Sequence, residues 1–156
     1  MTLKKILWTT DFSENAAQAL SYVTSLSEKY QTEIHVLYVL EPFAPFGAWY
    51  GDFDQSEIEK MQDLERERAE KRLSEICENY LEGCPLYIKH TAIGDPASEI
   101  LKLIKKESPD MVVITTRGRK GQFAFGSVAD KVVRHSPVPV LVIPIHYAGD
   151  IKIEDK

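Results

Sequence analysis

The sequence predicts an α/β fold: a single-domain, doubly wound, five-stranded parallel sheet with helices on both faces. Three observations predict it. Short, nearly continuous apolar runs recur, segments of helical period separate them, and the two kinds alternate along the chain. Continuous runs suit strands covered on both faces, and a strand–helix–strand alternation implies right-handed crossovers. The 156 residues are 44% hydrophobic and 28% charged, enough apolar material for one core.

The first run, Lys5 to Thr9, reads as a strand. A helix follows it, with Ser13 at the N-cap and Ala16, Ala19, Leu20, Val23 and Leu26 spaced along one face. Ile34 to Leu40 is the second strand. Between Glu41 and Gln55 lies an irregular stretch with Pro42, Pro45, Gly47 and Gly51 among five aromatics, too long for an ordinary connection. Two readings of it stay open: a lid or partner-binding loop, and an insertion whose aromatics pack on the domain surface. The second helix is read from about Ser56 to Leu81, with Ile58, Met61, Leu64, Leu73, Ile76 and Tyr80 on its buried side. Leu86 to Ala92 mixes polar residues into its apolar run and reads as a strand nearer an edge. The third helix opens on Asp95-Pro96, a cap followed by proline in the first turn, buries Ala97, Ile100, Leu101 and Ile104, and stops at Ser108-Pro109. Met111 to Thr115 is the fourth strand, a fourth helix begins near Ser127 with Val128 and Val132 inward, and Val138 to Ile143 is the fifth strand. Pro139 cannot donate to a ladder, which puts this last strand at an edge.

Charge and composition exclude several functions. With 19 basic and 24 acidic residues the net charge is −5, so no nucleic acid is expected as partner. No apolar run approaches the roughly 20 residues of a membrane-spanning helix, and none at the start suits a signal peptide. The expected location is the cytoplasm, with no membrane contact. Cys77 and Cys84 are too few for a disulfide framework, lack histidines at zinc-like spacing, and read as reduced structural thiols.

Ligands of open parallel sheets bind beyond the carboxyl ends of the strands, where the winding reverses. Two loops there carry chemistry: Thr9-Thr10-Asp11-Phe12-Ser13 after the first strand, and Thr115 to Gly121 after the fourth, leading to Gly126-Ser127 at a helix start. Glycines before a helix expose backbone N–H groups, which with the helix dipole favour a phosphate. From Thr116 to His135 there are five basic residues against one acid, in a chain that is acidic overall. The segment from Asp52 to Glu82 holds 11 acids and 5 bases and reads as a solvated helix face. The loop also has a plainer reading, a connector with solvated arginines. Neither GxxxxGK[ST] nor a GxGxxG after the first strand is present.

Three blocks carry a resemblance: Lys4-Lys5-Ile6-Leu7-Trp8-Thr9-Thr10-Asp11-Phe12-Ser13-Glu14, then Gly94-Asp95-Pro96, then the run from Gly126 through Val142. In this order and spacing they resemble the universal stress protein family, over Leu3 to about Pro144. The domain is accordingly read as residues 1–146, a UspA-like domain, with a polar tail at 147–156. The resemblance implies strand order 3-2-1-4-5 and an ATP site between the first and fourth strands. ATP-binding members place the phosphates on G-x2-G-x9-G-[ST]. Here Thr115 stands for the first glycine, Gly118 follows after two residues, and Gly126-Ser127 after seven more, a loop two residues short that draws Phe123 and Phe125 toward the cradle.

By the same resemblance Thr9, Thr10 and Asp11 line an adenosine pocket and Val39 touches the base. Asp11 lies near the ribose or a magnesium ion held through the nucleotide. Thr115, Arg117, Gly118, Gly126, Ser127 and Val128 form the phosphate side. The resemblance also implies a homodimer joined by the edge strand Val138 to Ile143, whose apolar edge invites pairing in any case; a second reading has the polar tail Tyr147 to Lys156 cover that edge. The function expected is an adenine-nucleotide-binding stress-response switch with unknown protein partners and at most slow ATP hydrolysis. The alternatives are a dimerising stress protein without nucleotide and, behind it, an ATP-using enzyme of the same fold. No base or nucleophile constellation supports an enzyme, and His35 and His135 read as structural histidines.

Overall fold

The computed structural model describes residues 2–42, 54–82, 84, 86–116 and 126–145. Their elements are β1 (Lys5–Thr10), α1 (Glu14–Ala17), α2 (Leu20–Tyr30), β2 (Glu33–Leu40), α3 (Gln55–Tyr80), β3 (Leu86–Ile93), α4 (Pro96–Glu107), β4 (Met111–Thr115), α5 (Ser127–His135) and β5 (Val140–Ile143). All strand pairs are parallel, in the order β3-β2-β1-β4-β5, so the winding reverses between β1 and β4.

Side-chain alternation divides the core into two layers. Ile6 and Trp8, Ile34 and Val36, and Val113 face α2 and α3, meeting Leu20, Val23, Leu73, Cys77 and Leu81. Leu7, Leu37, Val112 and Ile114 face α4 and α5, meeting Ala97, Ile100, Ile104, Ala129 and Val132. Every central strand is thus apolar on both sides, the physical content of its unbroken run in the sequence.

The helices begin where the caps put them. The Ser13 hydroxyl accepts from the Ala16 N–H at 3.1 Å, and the Asp95 carboxylate accepts from the Ser98 N–H at 3.0 Å and its hydroxyl at 2.8 Å. Those Ser98 bonds hold the Asp95 carboxyl below the usual carboxylate range. Asp54 and Glu57 form a reciprocal capping box at the start of α3. Ser108, in the left-handed region at φ 48°, closes α4.

Three expectations require correction. The first predicted helix is two: the chain tightens at Gln18 and Ala19, where Ala19 N–H donates to the Ala16 carbonyl at 3.1 Å, before α2 resumes. Ala16, Ala19, Leu20 and Val23 are buried as predicted, but Leu26 is only half-buried.

In α3 the buried series is Ala69, Leu73 and Cys77, continued by Leu81 just past its end, spaced by four; Met61, Leu64 and Tyr80 are 40, 54 and 59% exposed. A 26-residue helix is about 39 Å long, and among the described residues its first half joins neither core layer. Ile58 and Ile76 are half-buried.

The last strand starts at Val140, not Val138. Pro139 supplies a carbonyl to the Val112 N–H at 2.9 Å but has no N–H to extend the ladder. As expected, β5 is an edge, as is β3. Cys77 and Cys84 are free thiols, and burial pushes the Cys77 thiol up to about 11. Among the described residues no helix is long and apolar enough to cross a membrane. The aromatic stretch at 43–53 and the tail at 147–156 lie outside the described residues.

Candidate functional site

Because β1 and β4 are neighbours and parallel, the loops that follow them leave the same end of the sheet side by side. After β1 the chain turns at once. The Thr10 hydroxyl accepts from the Phe12 N–H at 3.1 Å, and the Asp11 carboxylate accepts from the Ser13 N–H at 2.9 Å, an Asx turn that hands the chain to the Ser13 cap.

Phe12 has φ 63°, a left-handed conformation costly for an aromatic residue. Its surroundings hold it there. Its ring stacks on Tyr38 with centroids 4.2 Å apart, the Arg72 guanidinium lies 4.9 Å from that ring, and Arg72 Nη2 donates to the Phe12 carbonyl at 3.2 Å. Asp11 is thereby fixed at the mouth of the β1 turn.

The second loop is anchored at both ends. Thr116 N–H donates to the Ile143 carbonyl at 3.0 Å, and the Thr116 hydroxyl accepts from the Ile145 N–H at 3.0 Å. Gly126 N–H then donates to the Thr116 carbonyl at 2.6 Å, closing the loop on itself. From there α5 starts with Gly126 as N-cap, and among the described residues no side chain caps it. Its first-turn N–H groups and the positive end of its dipole are therefore presented at the carboxyl end of the sheet, a setting that favours an anion.

The remaining predicted residues fall on two sides. Thr9 and Val39 lie on the α4–α5 side with Leu7 and Leu37, where Val128 also packs. Thr10 and Thr115, both buried, lie on the α2–α3 side. Ser127 is exposed at the start of α5. Arg117 and Gly118 lie outside the described residues, as do Arg119, Lys120, Phe123 and Phe125.

Two hollows open on the α3 side. One of about 300 Å³ is lined by Tyr38, Leu40, Arg66, Thr91 and Ile93, and one of about 280 Å³ by Trp8, Thr10, Phe12, Ser13 and Arg72. Neither is lined by Asp11 or α5, so a ligand joining those two groups occupies other space.

The family model of the universal stress protein family matches residues 2–144. This chain belongs to the universal stress protein family. It is 27% identical to universal stress protein MJ0531 of Methanocaldococcus jannaschii over 142 residues, which covers 90% of this chain and 81% of that one. The solved structure of MJ0577, from the same organism, superposes with a TM-score of 0.78 at 26% identity, covering 92% of this chain and 96% of that one.

Two universal stress protein structures carry nucleotides. One is in complex with cAMP (TM-score 0.67, 14% identity, 92 and 98% covered). The other, from Archaeoglobus fulgidus, is in complex with dAMP (TM-score 0.61, 19% identity, 91 and 98% covered). The fold of this universal stress protein is thus the family's, down to its strand order.

Reading the sequence located the β1 turn and the start of α5 but missed the clamp made by Thr116. Its only signal was a second threonine after a strand. The Tyr38–Phe12–Arg72 stack joins residues far apart in sequence and had no local signal at all.

Proposed function

We propose that this protein binds an adenine nucleotide, ATP with Mg²⁺, between the ends of β1 and β4, and that occupancy switches the surface it shows to partners in a cytoplasmic stress response. The observation that carries the reading is the start of α5: a helix whose N-cap, Gly126, has no side chain and is bonded to the Thr116 carbonyl, at the same end of the sheet as the Asp11 turn. An anion there meets main-chain N–H groups at Ser127 and Val128 and a favourable dipole. The nucleotide complexes of family members support the ligand class.

In this reading Thr9, Thr10, Asp11 and Val39 face the adenosine, with Thr115, Arg117, Gly118, Gly126, Ser127 and Val128 on the phosphates. Asp11 takes Mg²⁺ through the nucleotide, the ion neutralising phosphate charge. The protein acts as a binding switch with at most slow ATP hydrolysis. His135 ends α5, about 12 Å along the helix from its start, and His35 is buried beneath α4. A homodimer joined at the β5 edge completes the reading. That edge equally supports a second one, a dimerising stress protein without nucleotide.

The test is titration of Mg²⁺–ATP by calorimetry, with mass spectrometry of nucleotide released from freshly purified protein. Wild type is expected to bind. Gly118→Val should weaken binding at least about tenfold, because a β-branched side chain crowds the ligand and disfavours positive φ. Asp11→Asn keeps the turn's acceptor and should remove most of the Mg²⁺ dependence. No binding by wild type would leave the dimerising module.

A further inference from the structure

Far from the nucleotide end, β2 carries His35 inward on its α4 side, with its side chain 2% exposed. Edge strand β3 carries His90 two residues past Ile88, the register partner of His35. Their rings lie edge to edge, with centroids 4.9 Å apart and planes 16° apart, and His35 Nδ1 lies 2.7 Å from His90 Nε2. The other ring nitrogen of His35 is 2.5 Å from Glu33 Oε1.

With Glu33 ionised and His35 neutral, one arrangement of hydrogens satisfies both contacts. An ionised Glu33 only accepts, so His35 Nε2 carries a hydrogen; in the neutral ring Nδ1 is then bare, and His90 Nε2–H donates to it. The charged groups facing the pair are Glu33 from β2, Lys5 from β1, and Lys106 and Glu107 from α4. Glu107 Oε2 is 3.9 Å from His35 Nδ1 and 3.8 Å from Lys5 Nζ. Two carboxylates stand against two ammonium groups, so no surplus of negative charge awaits a protonated ring. Among the described residues no three His, Cys, Asp or Glu are placed to hold a metal ion.

We propose that His35 and His90 form a proton-sensitive clasp that fastens edge strand β3 to β2 while both rings are neutral and loosens as the pair takes up protons. The first added proton goes to His90 Nδ1. It leaves the interring bond in place but puts a cation in a half-buried position, with Glu107 favouring it and Lys106 and Lys5 opposing it. A second sets an N–H against an N–H and breaks the bond.

Burial first, then His35, holds His90 below the usual imidazole range. As pH falls through about 6.5 the unfolded or opened chain therefore binds its proton first, and stability present above that value is lost on the way down. The inference is independent of the nucleotide reading.

The test uses the full-length protein labelled with ¹⁵N, following imidazole nitrogen shifts and amide exchange protection from about pH 7.5 to 5. Protection factors of β3 amides should fall about tenfold over this range in wild type. They should change little in His90→Gln, whose side-chain amide still donates to His35 but does not titrate. An equal loss in that variant overturns the proposal. Wild type also decides alone: His35 Nδ1 should be bare at pH 7.5, and a protonated Nδ1 there, or two rings that titrate without influencing each other, overturns it as well.

Discussion

At one edge of the sheet β3 runs eight residues and sets Lys89, His90 and Thr91 among its apolar positions; at the other, β5 runs four, all of them Val, Leu or Ile. Lys89 reaches out to the Ser74 hydroxyl at 2.8 Å, and His90 is drawn in against His35. Charge on an edge discourages a second chain from pairing there, whereas a bare apolar edge invites one. The difference teaches that, among the described residues, this fold has a guarded edge and an uncovered one, and it separates what each half depends on. The β3 side depends on its own packing and polar ties, while the β5 side is suited to completion by another chain.

Three changes probe that contrast. The largest effect is expected from Ile104→Ala, which removes a fully buried side chain of α4, the helix that packs on β2. A loss of about 2–5 kcal/mol is expected in denaturant unfolding. If the β3 side stands on its own packing, this loss should be the same at dilute and concentrated protein.

Val140→Pro addresses the open edge. Pro139 and Ile143 turn their carbonyls to β4, so by alternation the Val140 N–H points outward, and its loss spares the internal ladder. If the proposed homodimer forms through β5, sedimentation should show its dissociation constant raised at least about tenfold, near 1.4 kcal/mol. An unchanged distribution would count against β5 as a dimer contact.

The smallest effect is expected from Asp95→Ala, which removes the α4 cap and should cost about 1 kcal/mol at neutral pH. Because the Asp95 carboxyl is held below its ordinary value, that contribution is present above about pH 4 and lost as pH falls through the lowered value. Wild type and variant should converge in acid.

What the sequence disclosed follows the range of the interactions. Unbroken apolar runs such as Met111–Thr115 state directly that both faces are covered, and the Asp95-Pro96 and Ser13 caps act within three residues, so these were legible. The buried face of α3 differs from the expected one because, among the described residues, its core contact begins only at Ala69, a boundary set by what packs beneath the helix. Apolar spacing at Ile58, Met61 and Leu64 looks the same whether or not a sheet lies beneath it. The turn at Asp11 was legible for the same local reason as the caps. The His35–His90 pair spans 55 residues and depends on β2–β3 register, which no short window contains.

The bond from Gly126 to the Thr116 carbonyl has an evolutionary consequence. With both stems pinned at a fixed separation, the span they enclose can gain or lose residues while the strands and α5 keep their places. Closure entropy varies only slowly with the number of residues enclosed. Ligand preference can therefore drift among descendants of this fold by insertion and deletion at one spot, without a matching repair of the core.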